Sequence, residues 1–372
     1  MRRRCVLTVC LTWAASLLVA SRPASAVTLT DLVGEVSQSQ YQSYQLTLQD
    51  MGLGLYGGSA YNQGYRNRYN AGGPATESLG FKEANLYLAN TFGAMGLNVT
   101  VQSNYKNVVA ELPGVTNPSR IYIISGHYDH PQSNFEAPGG DDNASGTAGV
   151  IEAARILSQY RFNATLRFIA WGGEEGWMLG SWDYVRNVVV AHNENIAGVL
   201  NLDMILRPAW DGHPEQPSDL DVSTGTSAQC VAWGNAFLGA CQSFSPSLLL
   251  DSRNLQHADW YPSDQGPFID PDGDQNLNTG TGYPALMVAE NTAQEIWGGS
   301  HAYYHTANDA SDRLAGPLYD YAFATDVVRA SVGLLAQEAQ LAGADVPEPA
   351  SLSLLALGAL LVRRRVARRT AA

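Results

Sequence analysis

Six residues of this sequence have side chains that bind metals or move protons, and each lies beside an apolar or helical segment. They are His127, Asp142, Glu174, Glu175, Asp203 and His305. Each has an ordinary structural explanation when taken alone, such as a helix N-cap for Asp142. Together they combine imidazole nitrogens with carboxylate oxygens, and zinc accepts such ligands in tetrahedral or five-coordinate geometry. The set therefore indicates a zinc site.

Alternating apolar and helical segments predict the elements that would bring these residues together. Strands are expected at residues 107–112, 120–125, 165–171, 196–202 and 284–289, and helices at 29–51, 81–95, 147–159, 180–189, 228–244 and 318–341. This alternation predicts an α/β protein, a three-layer sandwich with a mixed, mostly parallel central sheet. Ligand sites of open α/β sheets lie at the carboxyl ends of strands. We therefore expect the residues that follow three of the strands to meet at one edge.

Five short motifs, in this order, resemble the co-catalytic di-zinc aminopeptidases, the bacterial leucyl aminopeptidase family of clan MH. They are Gly126-His127-Tyr128-Asp129, Pro138-Gly139-Gly140-Asp141-Asp142-Asn143-Ala144-Ser145-Gly146, Glu174-Glu175-Gly176, Leu202-Asp203-Met204 and His305-Thr306. The resemblance covers roughly residues 79–341. It implies the phosphorylase/hydrolase-like fold of zinc-dependent exopeptidases and the removal of N-terminal residues from a peptide or protein substrate.

The resemblance also implies which residues bind two zinc ions. Asp142 matches the carboxylate that bridges both ions. His127 and Asp203 match the remaining ligands of one ion, and Glu175 and His305 match those of the other. Ligands of these types accept several divalent metals, so cobalt or manganese would also fit.

Two further carboxylates match catalytic positions of the family. Glu174 matches the general base, which would take a proton from a water that bridges the two ions and pass it to the leaving amine. Asp129 matches a carboxylate that orients the imidazole of His127, a contact that fixes the tautomer of a metal ligand. Asp141 has the simpler interpretation of a residue that shapes the loop. Asp309 either supports His305 or caps a helix.

One segment departs from the family pattern. Ser263-Asp264-Gln265 has a glutamine where the family often carries a histidine. That histidine is not a metal ligand, so the departure concerns the substrate pocket and leaves the predicted metal site unchanged.

Charge and chain ends indicate where the protein acts. The formal net charge of −13 argues against binding nucleic acid, which needs clustered Lys and Arg. A basic start, an apolar run and Ala24-Ser25-Ala26 predict a signal peptide at residues 1–26. Residues 346–372, a Pro-Glu-Pro segment followed by a short apolar run and an arginine cluster, resemble the PEP-CTERM sorting signal. That resemblance implies transient membrane contact through the tail, processing by an exosortase-type enzyme, and an envelope or extracellular location.

We therefore expect the mature region, residues 27–345, to form one peptidase domain. It would consist of an N-terminal extension at 27–78 and a catalytic core at 79–341. Its cysteines, Cys230 and Cys241, lie eleven residues apart in one predicted helix, about 16 Å along the axis. That is too far for a disulfide unless the helix breaks near Gly239, so we expect two buried thiols.

Several other functions stay open at this point. A carboxypeptidase, a dipeptidase or a glutaminyl cyclase would share the scaffold. A non-catalytic binding domain is a further alternative, although all five expected metal ligands and the expected base are present.

Overall fold

The structure, a computed structural model, describes residues 27–70, 76–131, 135–208, 219–250, 263–273, 282–291, 296, 301–313 and 319–342. The expected signal peptide and sorting tail lie outside these residues. Among the described helices, none combines the length and the apolar composition that a membrane crossing needs.

A seven-stranded sheet forms the centre of the molecule. Its strands are β1 (Asn98–Val101), β2 (Val108–Leu112), β3 (Asn117–His127), β4 (Ala164–Trp171), β5 (Asn195–Leu202), β6 (Asp221–Thr224) and β7 (Ala285–Ala289). Their spatial order is β1-β2-β4-β3-β5-β7-β6. Neighbouring strands from β4 to β7 run parallel, and the three outer pairings are antiparallel. Only β2 and β6 run against the other five, which confirms a mixed, mostly parallel sheet.

Helices cover both faces of this sheet. They are α1 (Leu29–Val33), α2 (Gln38–Gln49), α3 (Leu79–Ala94), α4 (Ala144–Leu157), α5 (Leu179–Tyr184), α6 (Ala228–Phe244), α7 (Gly266–Ile269) and α8 (Tyr321–Glu338), with a π-helical segment at Val185–Val190 that continues α5. Successive side chains of a strand point to opposite faces. Accordingly, Tyr122 and Ile124 of β3 enter the larger core, and Ile121 and Ile123 enter a second core on the other face. Two cores around one sheet confirm the three-layer architecture.

Local capping explains where several elements differ from the sequence prediction. The single helix expected at 29–51 is two helices, because α1 ends at Gly34 and the Ser37 side chain caps the start of α2. Asn143 accepts a hydrogen bond from the backbone of Gly146 and starts α4 three residues earlier than expected. The short strands β1 and β6 and the four-residue helix α7 were not predicted.

The thiols behave as the helical spacing predicts. Cys230 and Cys241 both lie on α6, and both are buried and free. The unbroken α6 keeps them on one rigid element, so the prediction of two buried thiols is confirmed.

Candidate metal centre

The predicted ligands that follow the parallel strands lie at one edge of the sheet. β3 ends at His127, which pairs in register with Trp171, the last residue of β4. Glu174 and Glu175 follow that strand after a tight turn, and Asp203 follows β5 directly. The expected meeting of these residues at the carboxyl ends of the strands is what the structure shows.

The loop that carries Asp142 approaches this edge through a glycine. A Cβ atom on Gly146, in the first turn of α4, would lie 2.2 Å from the carbonyl oxygen of Leu202. Only glycine therefore lets α4 start this close to the end of β5. The approach also lets Asn143 Nδ2 donate a hydrogen bond to the same carbonyl at 2.9 Å.

Five side chains form two donor groups that share Asp142. His127 Nε2 lies 3.2 Å from Asp142 Oδ1 and 3.4 Å from Asp203 Oδ1. His305 Nε2 lies 3.0 Å from Asp142 Oδ2 and 3.2 Å from Glu175 Oε2. Asp142 thus offers one oxygen to each group, an arrangement suited to bridging two cations.

Atoms without partners show that these groups fit a metal. Asp142 Oδ2, Glu175 Oε1 and His305 Nε2 are buried and make no hydrogen bond. A buried polar atom with no partner costs about 1–3 kcal/mol. Nitrogen and oxygen donors of these types are ligands of zinc. All three belong to the group of His305, where a cation would satisfy them. The group of His127, Asp142 and Asp203 offers donor atoms within 4.8 Å of one another, so the residues present fit an ion in each group.

Burial and charge compete in setting the protonation of this centre. Burial alone would raise the pKa of Asp142, but the adjacent imidazoles of His127 and His305 outweigh it and hold that pKa well below its usual range. Burial lowers the pKa of His305, and the adjacent carboxylates of Asp142 and Glu175 reverse this and raise it to about 10. The imidazoles and carboxylates of this centre therefore stabilise each other's charged forms.

Glu174 stands beside the first donor group. Its Oε2 lies 3.9 Å from His127 Nε2, farther than either carboxylate of that group. Burial raises the pKa of Glu174 well above its usual value; the charge of His127 opposes this, and the Glu175 and Asp264 carboxylates add to it. Geometry alone would also allow Glu174 to join His127 and Glu175 around an ion, so its role as a base rests on the family resemblance and the longer distance.

Asp129 supports the turn that follows β4. Its carboxylate accepts the backbone N–H groups of Glu174 and Glu175 at 3.1 and 3.2 Å. Its Oδ1 lies 3.6 Å from His127 Nδ1, within ion-pair range but longer than a hydrogen bond. Asp129 therefore orients the two glutamates through the backbone and faces the far nitrogen of His127.

Sequence reasoning missed a buried chain of hydrogen bonds that ends on Asp203, one of the predicted metal ligands. Ser125 Oγ lies 2.9 Å from Asn201 Oδ1, Asn201 Nδ2 donates to Ser263 Oγ at 2.9 Å, and Ser263 Oγ donates to Asp203 Oδ2 at 2.5 Å. The only sequence signal was Ser263 itself, which stands in the segment that departs from the family pattern. Gln265 in that segment is buried.

Asp309 holds the metal loop and does not cap a helix. Its carboxylate accepts the backbone N–H groups of Asp141 and Asp142, each at 3.0 Å. Tyr319 donates a hydrogen bond to Asp309 Oδ1 at 2.7 Å. Burial, the largest cause, together with the Asp141 charge raises the pKa of Asp309 to about 6 against the opposing charge of His301.

Arg68, in the N-terminal extension, is a second residue that sequence reasoning missed. Its guanidinium is fully buried and donates hydrogen bonds to four backbone carbonyls, those of Leu48, Tyr128, Pro138 and Gly139. Two of these carbonyls belong to the loop that leads to Asp142. The extension therefore contributes to the metal centre without supplying a ligand.

Comparison with known proteins adds family and fold relationships. Residues 107–325 match the model of Peptidase family M28, and residues 345–369 match the PEP-CTERM protein-sorting motif. A probable zinc metalloprotease of Pyrenophora teres f. teres is 41% identical over 107 residues, which are 27% of this chain and 23% of that protein. The chain thus spans under a quarter of that relative.

Two solved structures show the same fold. The Legionella pneumophila LapA aminopeptidase aligns with a TM-score of 0.62 and 17% identity, covering 84% of this chain and 74% of its own. A Porphyromonas gingivalis glutaminyl cyclase aligns with a TM-score of 0.58 and 15% identity, covering 82% of this chain and 99% of its own. At such identities the likeness concerns the fold alone.

Proposed function

This chain belongs to peptidase family M28, and from that membership we propose that it is an exported zinc metallopeptidase that removes N-terminal residues from peptides. The observation that carries the proposal is the pair of donor groups that share Asp142, with Glu174 beside them. A binding domain without catalytic activity would not need a buried carboxyl next to two sets of metal ligands.

Five side chains of the protein would hold the two metal ions. His127, Asp142 and Asp203 would hold one ion, and Asp142, Glu175 and His305 would hold the other. When bound, the metal pair supplies Lewis acidity toward the scissile carbonyl and a water molecule.

Glu174 moves the proton. Its carboxylate takes a proton from the attacking water and delivers it to the nitrogen of the leaving peptide, so no net charge accumulates on the side chain. Burial and neighbouring acids raise the pKa of Glu174, which makes its carboxylate a stronger base than an exposed glutamate. Asp129 keeps this carboxyl in place through the backbone N–H of Glu174.

Replacing the base tests this mechanism. Glu174→Gln keeps the shape of the side chain and removes its ability to take a proton, so we expect a 10²–10⁴-fold or larger loss of turnover. Zinc content, measured by elemental analysis, should be unchanged. Glu35→Gln, at an exposed position, is the matched control and should behave as wild type. Normal hydrolysis of aminoacyl anilides by Glu174→Gln would refute the assignment.

Peptides with blocked ends test which end of the substrate the enzyme cleaves. Peptides with a blocked amino end should resist hydrolysis, and peptides with a blocked carboxyl end should lose residues one at a time. The opposite pattern would identify a carboxypeptidase, and cleavage restricted to two-residue substrates would identify a dipeptidase.

The glutaminyl cyclase fold is the second candidate, because that neighbour aligns over nearly its whole length. A cyclase would release ammonia from a peptide with N-terminal glutamine and leave the chain length unchanged. Mass spectrometry of such a peptide separates the two reactions. Loss of ammonia without loss of a residue would favour the cyclase.

The matched sorting motif supports a proposal for location. We infer that residues 1–26 are removed on export, that residues 346–372 hold the protein at the membrane briefly, and that an exosortase-type enzyme releases the domain at 27–345. The terminal peptides of the protein recovered outside the cell test this. Intact ends on that protein would contradict it.

A further inference from the structure

A second buried cluster of ionisable side chains lies behind the metal centre and has no part in the reaction described above. It consists of Asp141, Glu290 and His301, which we call the buried hub. Their exposed fractions are 0%, 0% and 3%. His301 Nε2 lies 3.1 Å from Asp141 Oδ2 and 3.9 Å from Glu290 Oε1.

The hub is tied to the backbone that follows Asp203. Asp141 Oδ1 accepts the N–H of Leu206 at 3.1 Å, and Glu290 Oε2 accepts the N–H of Arg207. The N–H of Glu290 donates to the carbonyl of Met204 at 2.8 Å. The hub therefore crosses between segments that are far apart in the chain.

Those segments are the ones that carry metal ligands. Asp141 directly precedes Asp142, and His301 stands four residues before His305. Leu206, which Asp141 binds, stands three residues after Asp203. One small cluster thus connects three loops, each of which supplies a ligand.

Two of these loops contain strained backbone. Met204 and His305 have φ angles of 55° and 58°, in the left-handed region that only glycine adopts freely. Such a conformation costs about 1–2 kcal/mol per residue and persists where surrounding contacts hold it. The backbone N–H of Glu290 binds the carbonyl of Met204. The Asp141 and Glu290 side chains bind the N–H groups of Leu206 and Arg207, two and three residues further on, so the hub helps to hold the segment that contains Met204.

We propose that the buried hub sets the relative positions of the three loops, so that Glu290 and His301 are positioning residues for metal binding. The proposal rests on the metal centre proposed above. It assigns a role to Glu290 and His301, neither of which lies in the motifs that resemble the family.

Hydrogen-bond geometry favours this role over a third metal site. His301 Nε2 makes a hydrogen bond with Asp141. Backbone N–H groups of Leu206 and Arg207 bind Asp141 Oδ1 and Glu290 Oε2. Three of the four carboxylate oxygens of the hub therefore already have partners within the protein, and Glu290 Oε1 is the one without a hydrogen bond. A metal ligand must present a free lone pair, so the hub has few donors left for an ion.

The carboxyl groups of Asp141 and Glu290 lie within 4.8 Å of each other and of His301. Burial, and then the charge of Asp141, raise the pKa of Glu290 well above its usual value, which favours a proton on Glu290 beside the Asp141 carboxylate. Its Oε2 accepts the N–H of Arg207. Glutamine at this position offers the same donor and acceptor, so Glu290→Gln is a conservative change and Glu290→Leu is a disruptive one.

The test measures zinc affinity by competition with a chelator, together with the visible absorption spectrum of the cobalt-loaded protein. We expect His301→Ala and Glu290→Leu to bind zinc roughly 10–100-fold more weakly, as for other groups that orient metal ligands. The cobalt spectrum should change, since it reports ligand geometry. Turnover should fall while KM changes little. Glu290→Gln should stay close to wild type in all three measurements.

Controls and alternatives separate the possible outcomes. His192→Ala, at an exposed position, should bind zinc as wild type. Wild-type affinity and spectrum in both His301→Ala and Glu290→Leu would overturn the proposal. Three ions per wild-type chain, falling to two in His301→Ala, would overturn it in favour of a metal site.

Two further results separate the role of the hub from a folding defect and from the proposed activity. If His301→Ala yields no folded protein, Glu290→Gln and Glu290→Leu are compared instead. Equal zinc affinity of these two variants would refute the role of the hub. If wild type binds zinc but cleaves no peptide, the proposed function fails. The affinity measurements then still decide the role of the hub.

Discussion

At the scale of single residues, the metal centre depends on which neighbour each carboxylate oxygen contacts. Asp142 directs one oxygen to His127 and the other to His305. Asp203 directs one oxygen to His127 and takes a hydrogen bond from Ser263 on the other. A carboxylate whose second oxygen is already held has fewer orientations to lose when it binds a cation, which favours tight binding.

Removing one imidazole should empty one side of the centre. His305→Ala leaves Asp142 and Glu175 without their nitrogen partner, while the group of His127, Asp142 and Asp203 stays complete. We expect zinc content, measured by elemental analysis after dialysis, to fall from two ions toward one per chain. His192→Ala serves as the control. Two retained ions in His305→Ala would remove His305 from the ligand set.

At the scale of elements, the N-terminal extension binds the backbone of the metal loop through its side chains. Gln45 of α2 donates to the carbonyl of Gly140 at 2.8 Å, and Tyr41 donates to the carbonyl of Ser145. Arg68 donates to the carbonyls of Pro138 and Gly139. The region that matches the family begins at residue 107, so the side chains that give this support lie before it.

Removing the guanidinium of Arg68 should therefore destabilise the loop that leads to Asp142, although no residue of that loop is changed. Arg68→Met fills similar space but removes the donor of four buried carbonyls. Those of Leu48 and Gly139 keep a backbone donor, whereas those of Tyr128 and Pro138 lose the bond that Arg68 makes. An unpartnered buried carbonyl costs about 1–3 kcal/mol, so we expect the free energy of unfolding to fall by at least about 2 kcal/mol, with weaker zinc binding. Urea titration and chelator competition measure the two effects. Arg161→Met, at an exposed position, is the control; equal stability of the two variants would contradict this role.

At the scale of the whole molecule, two cores enclose one sheet and leave the thiols inside them. Cys230 belongs to the smaller core and Cys241 to the larger. Burial raises the pKa of the Cys241 thiol to about 12. Since the thiolate is the reactive form, this thiol should be inert in the folded protein although export would expose it to an oxidising environment.

Thiol titration tests the integrity of both cores. In the protein after removal of residues 1–26, we expect no reaction with a thiol reagent at neutral pH and two reactive thiols per chain in denaturant. A disulfide would yield none in denaturant. Rapid reaction of the folded protein would show that α6 is not packed as described.

The elements and ligand types were predictable because their causes are local. Apolar periodicity identified most of the strands, and it placed β4 and β5 within one residue of their observed ends. It missed β1, since only one of its four residues is even partly buried, so no alternation marks it. It also extended one helix across the cap at Ser37, where a single hydroxyl decides the break.

By itself, the sequence determined the family of the protein, because the predicted ligands, their order along the chain and the strands that precede them are properties of short segments. Only the tertiary structure decided how those predicted ligands are held. Asp309 binds the backbone of Asp141 across 168 residues, and His301 reaches the Asp141 side chain across 160. Arg68 and Ser263 act over similarly non-local contacts. Hydrogen bonds of this kind depend on distances of a few tenths of an ångström between distant segments, and no local pattern of residues encodes them.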